Sequence, residues 1–176
     1  TTTTSLIAEV LDEGNLDPTV VVGGRALATG ANAVLGEGKY LVAEADESDG
    51  SFLKLIPTLA VVTNMDLEHV DFYPDMGVLR DAFRSFLEKV PFYGAAILCV
   101  DDQEVRNLIP GLDRKVITYG FSDDAEVRAV RIDSNRVTVF LREQKLGELS
   151  IKLPGDHNIL NALAAVTVGM ELGIEF

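Results

Sequence analysis

The sequence has 176 residues, 47% of them hydrophobic and 24% charged, enough for one domain with a sizeable core. Lys and Arg number 15 against 28 Asp and Glu, a net charge of −13, which leaves no basic footprint for binding nucleic acid. No run reaches the roughly 20 apolar residues of a membrane span, and residues 1–5 lack the basic start and apolar run of a secretory signal.

Taken in chain order, Leu6, Ile7, Val10 and Leu11 fall on one helical face, and the helix ends at Gly14. Residues 19–22 read as a strand stopped by Gly23-Gly24. Residues 40–43 and 59–63 are short, continuous apolar runs, the kind covered on both faces in a parallel sheet. Leu79, Phe83 and Phe86 recur at helical spacing between Asp75 and Lys89. A strand at 95–100, a short helix at 101–108 and a strand at 116–119 follow. This alternation predicts an α/β fold with a mostly parallel sheet flanked by helices.

After Phe121 the period changes. Val137, Val139 and Leu141 alternate with polar residues, as do Leu149, Ile151 and Leu153. With turns expected at 133–135 and 144–147, they predict a small antiparallel β-meander near the C-terminal third. A last helix starts near Asp156, after Pro154-Gly155, with a core stripe of Ile159, Leu163, Val166 and Met170. Cys99, the one cysteine, sits in an apolar run and reads as a small buried hydrophobe rather than a nucleophile or metal ligand. A single cysteine is compatible with a reducing cytosol.

Four stretches could carry chemistry. Thr1 to Thr4 make a poor helix interior, but at a helix start their hydroxyls and amides can meet an anion or metal; the alternative is a frayed terminus. Glu44, Asp46, Glu47 and Asp49 follow a strand, at the edge where open α/β sheets bind ligands. Four mutually repelling carboxylates there suit a Mg²⁺ site, or else form a solvated acidic loop. His69, one of two histidines, follows the next strand beside Asp66 and Glu68, placed to bind metal or substrate, or to serve structure. Asn158 and Asn161, beside His157, share a helix face, and their amides suit the edge of an adenine ring. Asp156 reads as the cap of that helix.

The order of these segments is more specific than any one of them. A threonine run, then "EADESDGSF" (44–52), "VTNMDLEHVDFY" (62–73), "PFYGAAILCVDD" (91–102) and "LPGDHNILNALAA" (153–165) closely resembles the central, ATP-binding domain of the Mur ligase family over essentially the whole chain. The resemblance implies a single domain over residues 1–176 that opens just after a P-loop Gly-Lys, with the UDP-binding amino-terminal and the carboxy-terminal domains outside it. It implies that Thr1 coordinates Mg²⁺, with Thr2 and Thr3 beside the ATP phosphates, and that Glu44 holds the same metal. His69 matches the ligand of a second metal, which makes Glu44 and His69 the residues closest to catalysis. His157, Asn158 and Asn161 match the adenine side, and Gly23 and Gly24 a glycine pair near the muramoyl substrate. Some relatives carry a carbamoylated lysine; Arg84 or Ser85 stands in that region here, so this feature does not carry over.

Within the family, residues 48–52 and 69–73 are most similar to the branch that joins L-alanine to UDP-N-acetylmuramate, in the cytoplasm, with ATP and Mg²⁺. The implied reaction passes the γ-phosphate to the lactoyl carboxylate, and the amine of L-alanine then displaces phosphate. Amino-acid recognition would lie largely in the carboxy-terminal domain, and the 176 residues alone would be inactive. A murein-tripeptide recycling ligase, which shares "EADE", is the nearest alternative, and folylpolyglutamate synthetases match less well. A non-catalytic nucleotide- or metal-binding module is the alternative from another class.

Overall fold

The computed structural model describes residues 1–23, 32–69 and 71–176, and Gly24 lies outside them. It forms two compact units, one of Thr1–Glu44 with Val127–Phe176 and one of Ala45–Glu126.

In the first unit, helix α1 (Thr2–Glu13) buries Thr4, Ser5, Ile7 and Leu11, and Gly14 ends it as the apolar spacing requires. Three short strands follow: β1 (Thr19–Val21), β2 (Ala33–Val34) and β3 (Leu41–Ala43). β1 lies between the others, antiparallel to β2 and parallel to β3, with Val21 opposite Ala43. That register sets the residues after the two parallel strands, Val22-Gly23 and Glu44, side by side at their carboxyl ends. The expectation that β3 is covered on both faces fails, because Leu41 stays 64% exposed. β3 is an edge strand of this three-stranded sheet, so its apolar run reflects one packed face only.

The same unit contains the meander β7 (Val127–Arg131), β8 (Arg136–Leu141) and β9 (Gln144–Ser150), antiparallel throughout, with Val127, Ala129, Val137 and Val139 buried. Its second turn is not at 144–147. Residues 144–147 belong to β9, and the chain reverses at Arg142-Glu143, with Arg142 in the left-handed region at φ 54°. Ile151 and Leu153 lie beyond the strand, and Leu153 is exposed. Helix α4 (Asp156–Glu171) packs along α1. Ile159 and Leu163 are buried as the stripe predicts, but Val166 and Met170 are half-buried, and Ala162, Ala164, Ala165, Thr167, Val168 and Gly169 are buried as well. Small residues let the helices approach closely: a Cβ on Gly169 would stand 2.7 Å from Val10 Cγ1.

The second unit holds β4 (Leu59–Val62), β5 (Ala95–Cys99) and β6 (Val116–Gly120), all parallel in that order. Every residue of β5 is buried, as expected for a central strand with both faces covered. Helix α2 (Met76–Leu87) starts at Asp75, whose carboxylate accepts the Val78 N–H and so satisfies a first-turn amide. The short helix α3 (Gln103–Arg106) is capped in the same way by Asp102. A 3-10 turn, Ser51–Lys54, sends Phe52 into the core against Phe83 and Phe86 at ring distances of 5.3 and 5.2 Å. Cys99 is a buried free thiol whose ionisation burial opposes, in line with an inert core residue.

Candidate functional site

In the first unit, three groups converge on one carboxylate. Glu44 Oε1 accepts from the Thr1 hydroxyl at 2.8 Å and from the Thr1 nitrogen at 2.5 Å. Glu44 Oε2 accepts from the Gly23 amide at 2.6 Å and lies 3.1 Å from the same hydroxyl. The parallel β1–β3 register explains the Gly23 contact, since both residues leave adjacent strands at the same level. Burial pushes the Glu44 carboxyl up, but hydrogen bonds from the Thr1 nitrogen, the Gly23 amide and the Thr1 hydroxyl outweigh it and hold the group below its ordinary value. Glu44 is therefore ionised at neutral pH.

Helix α1 begins beside this carboxylate with no side-chain cap and no acidic residue in its first turn. The Ser5 amide donates to the Thr1 carbonyl at 3.0 Å, the first helical bond among the described residues, and amides at a helix start suit an anion. Thr3 is tied to α4 instead: its hydroxyl donates to Asn161 Oδ1 at 2.9 Å. Asn158 Nδ2 donates to the Pro154 carbonyl at 2.7 Å and lies 3.1 Å from His157 Nε2. Asn158 and Asn161 thus stand on the amino end of α4 as expected, yet they have different partners. Asp156 is not the cap. Gly155 holds that place without a side-chain bond, while Asp156 begins the helix and pairs with Arg131 at 2.6 Å.

In the second unit, a cavity of about 320 Å³ is lined by Ser48, Asp49, Glu68, His69, Asp71 and Phe72. His69 Nε2 stands 3.9 Å from Glu47 Oε1, both side chains about two-fifths exposed. Asp46 accepts the Ser48 amide and Asp49 the Ser51 amide, at 2.9 and 2.8 Å. These serine hydrogen bonds hold both carboxyls below their usual range. Tyr73, which sequence reasoning passes over, is buried, and its hydroxyl donates to the Glu47 carbonyl at 2.8 Å. Burial first, then the charges of Glu47, Asp49 and Asp46, push its ionisation up, so it remains a donor. An aromatic after "HVDF" reads as core in a sequence; only the fold shows its hydroxyl on a backbone carbonyl. Arg84 and Ser85 each bond a backbone carbonyl, of Pro110 and Asp81.

Of the expected site residues, the structure joins Thr1 to Glu44 and Gly23, and Thr3 to Asn161. His69 belongs to the second unit, with Glu47 as its acidic neighbour. Among the described residues, no group of three or more His, Cys, Asp or Glu side chains is arranged to hold a metal. Mg²⁺ takes one or two carboxylates and completes its six oxygens with phosphates and water. The donor set fits. Neighbouring ligands of an octahedral Mg²⁺ stand about 2.9 Å apart at its usual bond length, and the Thr1 hydroxyl lies 2.8 and 3.1 Å from the Glu44 oxygens.

Comparison with known proteins gives a consistent result. The family model described as Mur ligase middle domain matches residues 1–169. A UDP-N-acetylmuramate–L-alanine ligase of Desulfatibacillum aliphaticivorans is 49% identical over 100% of this chain and 40% of its own length. The protein of the same name from Syntrophotalea carbinolica is 53% identical, covering 100% of the chain and 39% of its own length. The chain thus spans about two-fifths of these curated relatives. Among solved structures, a UDP-N-acetylmuramate:L-alanyl-gamma-D-glutamyl-meso-diaminopimelate ligase from Neisseria meningitides superposes with a TM-score of 0.88 at 25% identity, covering 99% of this chain and 59% of that one. A UDP-N-acetylmuramate-alanine ligase from Thermotoga maritima gives 0.83 at 27% identity, covering 99% and 40%.

Proposed function

The chain belongs to the Mur ligase family, and on that premise we propose that it is the ATP-binding part of a ligase joining L-alanine to UDP-N-acetylmuramate in peptidoglycan precursor synthesis. The observation that carries this reading is the Thr1–Glu44 pair at the start of α1. A hydroxyl and a carboxylate at the spacing of two ligands of one Mg²⁺ stand where helix amides face an anion, which is the chemistry a metal–nucleotide complex needs. The two curated relatives described, both alanine ligases and 49% and 53% identical, support the substrate assignment.

In this reading Thr1 and Glu44 hold Mg²⁺, and the amides of Thr2 and Thr3 face the phosphates of ATP. Asn158, Asn161 and His157 border the adenine, with Thr3 tying that helix end to α1. Gly23 lends its amide to Glu44, keeping the carboxylate ionised and aimed. His69, with Glu47 beside it, takes a second cation facing the substrate carboxylate. Bound Mg²⁺ supplies positive charge that offsets repulsion between phosphate and carboxylate. The residues' task is otherwise positioning: a net charge of −13 would repel ATP, and helix amides with cation-holding acids reverse that locally.

The murein-tripeptide reading draws on the 0.88 TM-score, but that match is 25% identical, whereas the alanine-ligase relatives described are 49% and 53% identical. Phosphate release by the full-length protein tests the choice. Release from ATP and UDP-N-acetylmuramate that requires L-alanine supports the proposal. Release that ignores L-alanine but follows the tripeptide selects the recycling reaction, and none with either leaves a binding module.

A further inference from the structure

We propose that Tyr73 is a positioning residue that clamps the Glu47–Gly50 turn to the His69 turn and so fixes His69 in the lining of the 320 Å³ cavity. The inference rests on the reading of His69 as a metal-side residue, and it concerns how that side chain is held. Tyr73 bonds both segments at once. Its hydroxyl donates to the Glu47 carbonyl at 2.8 Å, and its amide donates to the His69 carbonyl at 2.9 Å. The same Glu47 carbonyl accepts the Gly50 amide at 3.0 Å, closing a four-residue turn, and the same His69 carbonyl accepts the Phe72 amide at 3.0 Å. One buried residue therefore links the acceptor carbonyls of the two turns, through its side-chain hydroxyl on one and its backbone amide on the other.

A second contact reinforces the first. Gly50 has φ 70°, and a Cβ built there would stand 2.6 Å from Phe72 Cζ, so the Phe72 ring lies directly on the glycine. Phe72 in turn packs edge-on against Tyr73 at 4.9 Å. Only glycine combines that backbone angle with that approach. Within the 46–51 stretch, the Ser48 amide donates to Asp46 and the Ser51 amide to Asp49; both bonds are local and hold the shape of the loop. The 320 Å³ cavity is built from the two segments this clamp joins: Ser48 and Asp49 from one, Glu68, His69, Asp71 and Phe72 from the other. Removing the hydroxyl leaves a buried ring in place and the Glu47 carbonyl bonded only within its own turn, to the Gly50 amide, so the separation of His69 from Glu47 loses this side-chain tether.

The experiment is Tyr73→Phe in the full-length enzyme, with Gly50→Ala as an independent break in the same clamp and His69→Asn as the reference. For Tyr73→Phe, the Mg²⁺ concentration for half-maximal rate should rise roughly tenfold, the effect of one lost hydrogen bond on placement. KM for ATP should stay within about twofold. The melting temperature, read in parallel, should fall by only a few degrees, since the ring is retained. Gly50→Ala should give the same split between Mg²⁺ and ATP. If His69→Asn cripples turnover while Tyr73→Phe matches wild type in Mg²⁺ dependence, the clamp is overturned and the His69 reading survives. If His69→Asn is itself near wild type, the His69 reading fails. Equal losses in Mg²⁺ and ATP dependence with a large melting shift would make Tyr73 merely structural and also overturn the proposal.

Discussion

Glu44→Gln separates the charge of this side chain from its shape. The carboxylate accepts from Gly23 at 2.6 Å on one oxygen and from the Thr1 hydroxyl at 2.8 Å on the other. Glutamine keeps one acceptor, which settles on the Gly23 amide, because that donor cannot turn away. Its NH₂ then faces Thr1, whose hydroxyl can rotate to accept. The Gly23 and Thr1 hydroxyl bonds thus survive while the one from the Thr1 nitrogen is lost, and with a partly exposed carboxylate the loss of stability should stay below about 1 kcal/mol. The cation loses more. Exchanging a charged for a neutral oxygen ligand is comparable to losing a charge-assisted hydrogen bond, about 1.5–3 kcal/mol. At about 1.4 kcal/mol per tenfold, the metal–ATP complex should bind roughly 10- to 100-fold more weakly. Titration calorimetry with Mn²⁺ and a non-hydrolysable ATP analogue, on the full-length protein, reads the affinity, and a thermal melt reads the fold. A variant that binds within twofold of wild type would refute the reasoning, as would one that loses affinity only because its melting point collapses.

Asn161→Ala removes the acceptor of the part-buried Thr3 hydroxyl and should cost about 0.5–1.5 kcal/mol in urea unfolding while raising KM for ATP; an unchanged midpoint would show that the Thr3–Asn161 bond does not couple the two helix ends. Leu87→Ala empties a fully buried position at the end of α2 and should cost about 2–5 kcal/mol by the same assay, and a loss under 1 kcal/mol would contradict the close-packed core of the second unit. Arg106 hydrogen-bonds Asp124 and holds its carboxyl below the ordinary value. A lowered folded value means the pair stabilises fully above the unfolded carboxyl range, near pH 3.9, and fades as pH falls through the folded value. The melting difference between wild type and Asp124→Asn should therefore be present at pH 7 and vanish toward pH 2; a constant difference would remove the ion pair as its cause.

The parallel strands were legible because continuous apolar runs such as 95–99 need cover on both faces, and the structure buries that strand completely. Glu44 was legible as the residue after a strand in an α/β pattern, but its Gly23 and Thr1 partners depend on register and helix placement, which periodicity does not encode. The same limit hides Tyr73, whose partner is the Glu47 backbone. β9 was expected a few residues too late because Gln144, Lys145 and Gly147 look like turn chemistry, while the actual reversal at Arg142-Glu143 has no glycine at its left-handed position. β2 has only two residues, too few for alternation to register. Leu41 shows that an apolar residue in a short strand need not be covered when the strand is at an edge.

The most direct test of this account is a crystal structure of the full-length protein with Mn²⁺ and a non-hydrolysable ATP analogue, the metal located by anomalous scattering. One Mn²⁺ should be bonded to both the Thr1 hydroxyl and a Glu44 oxygen, with phosphate oxygens completing its shell at the start of α1. A nucleotide bound with its metal held by other side chains, and Glu44 still closed on the Thr1 hydroxyl, would contradict the assignment.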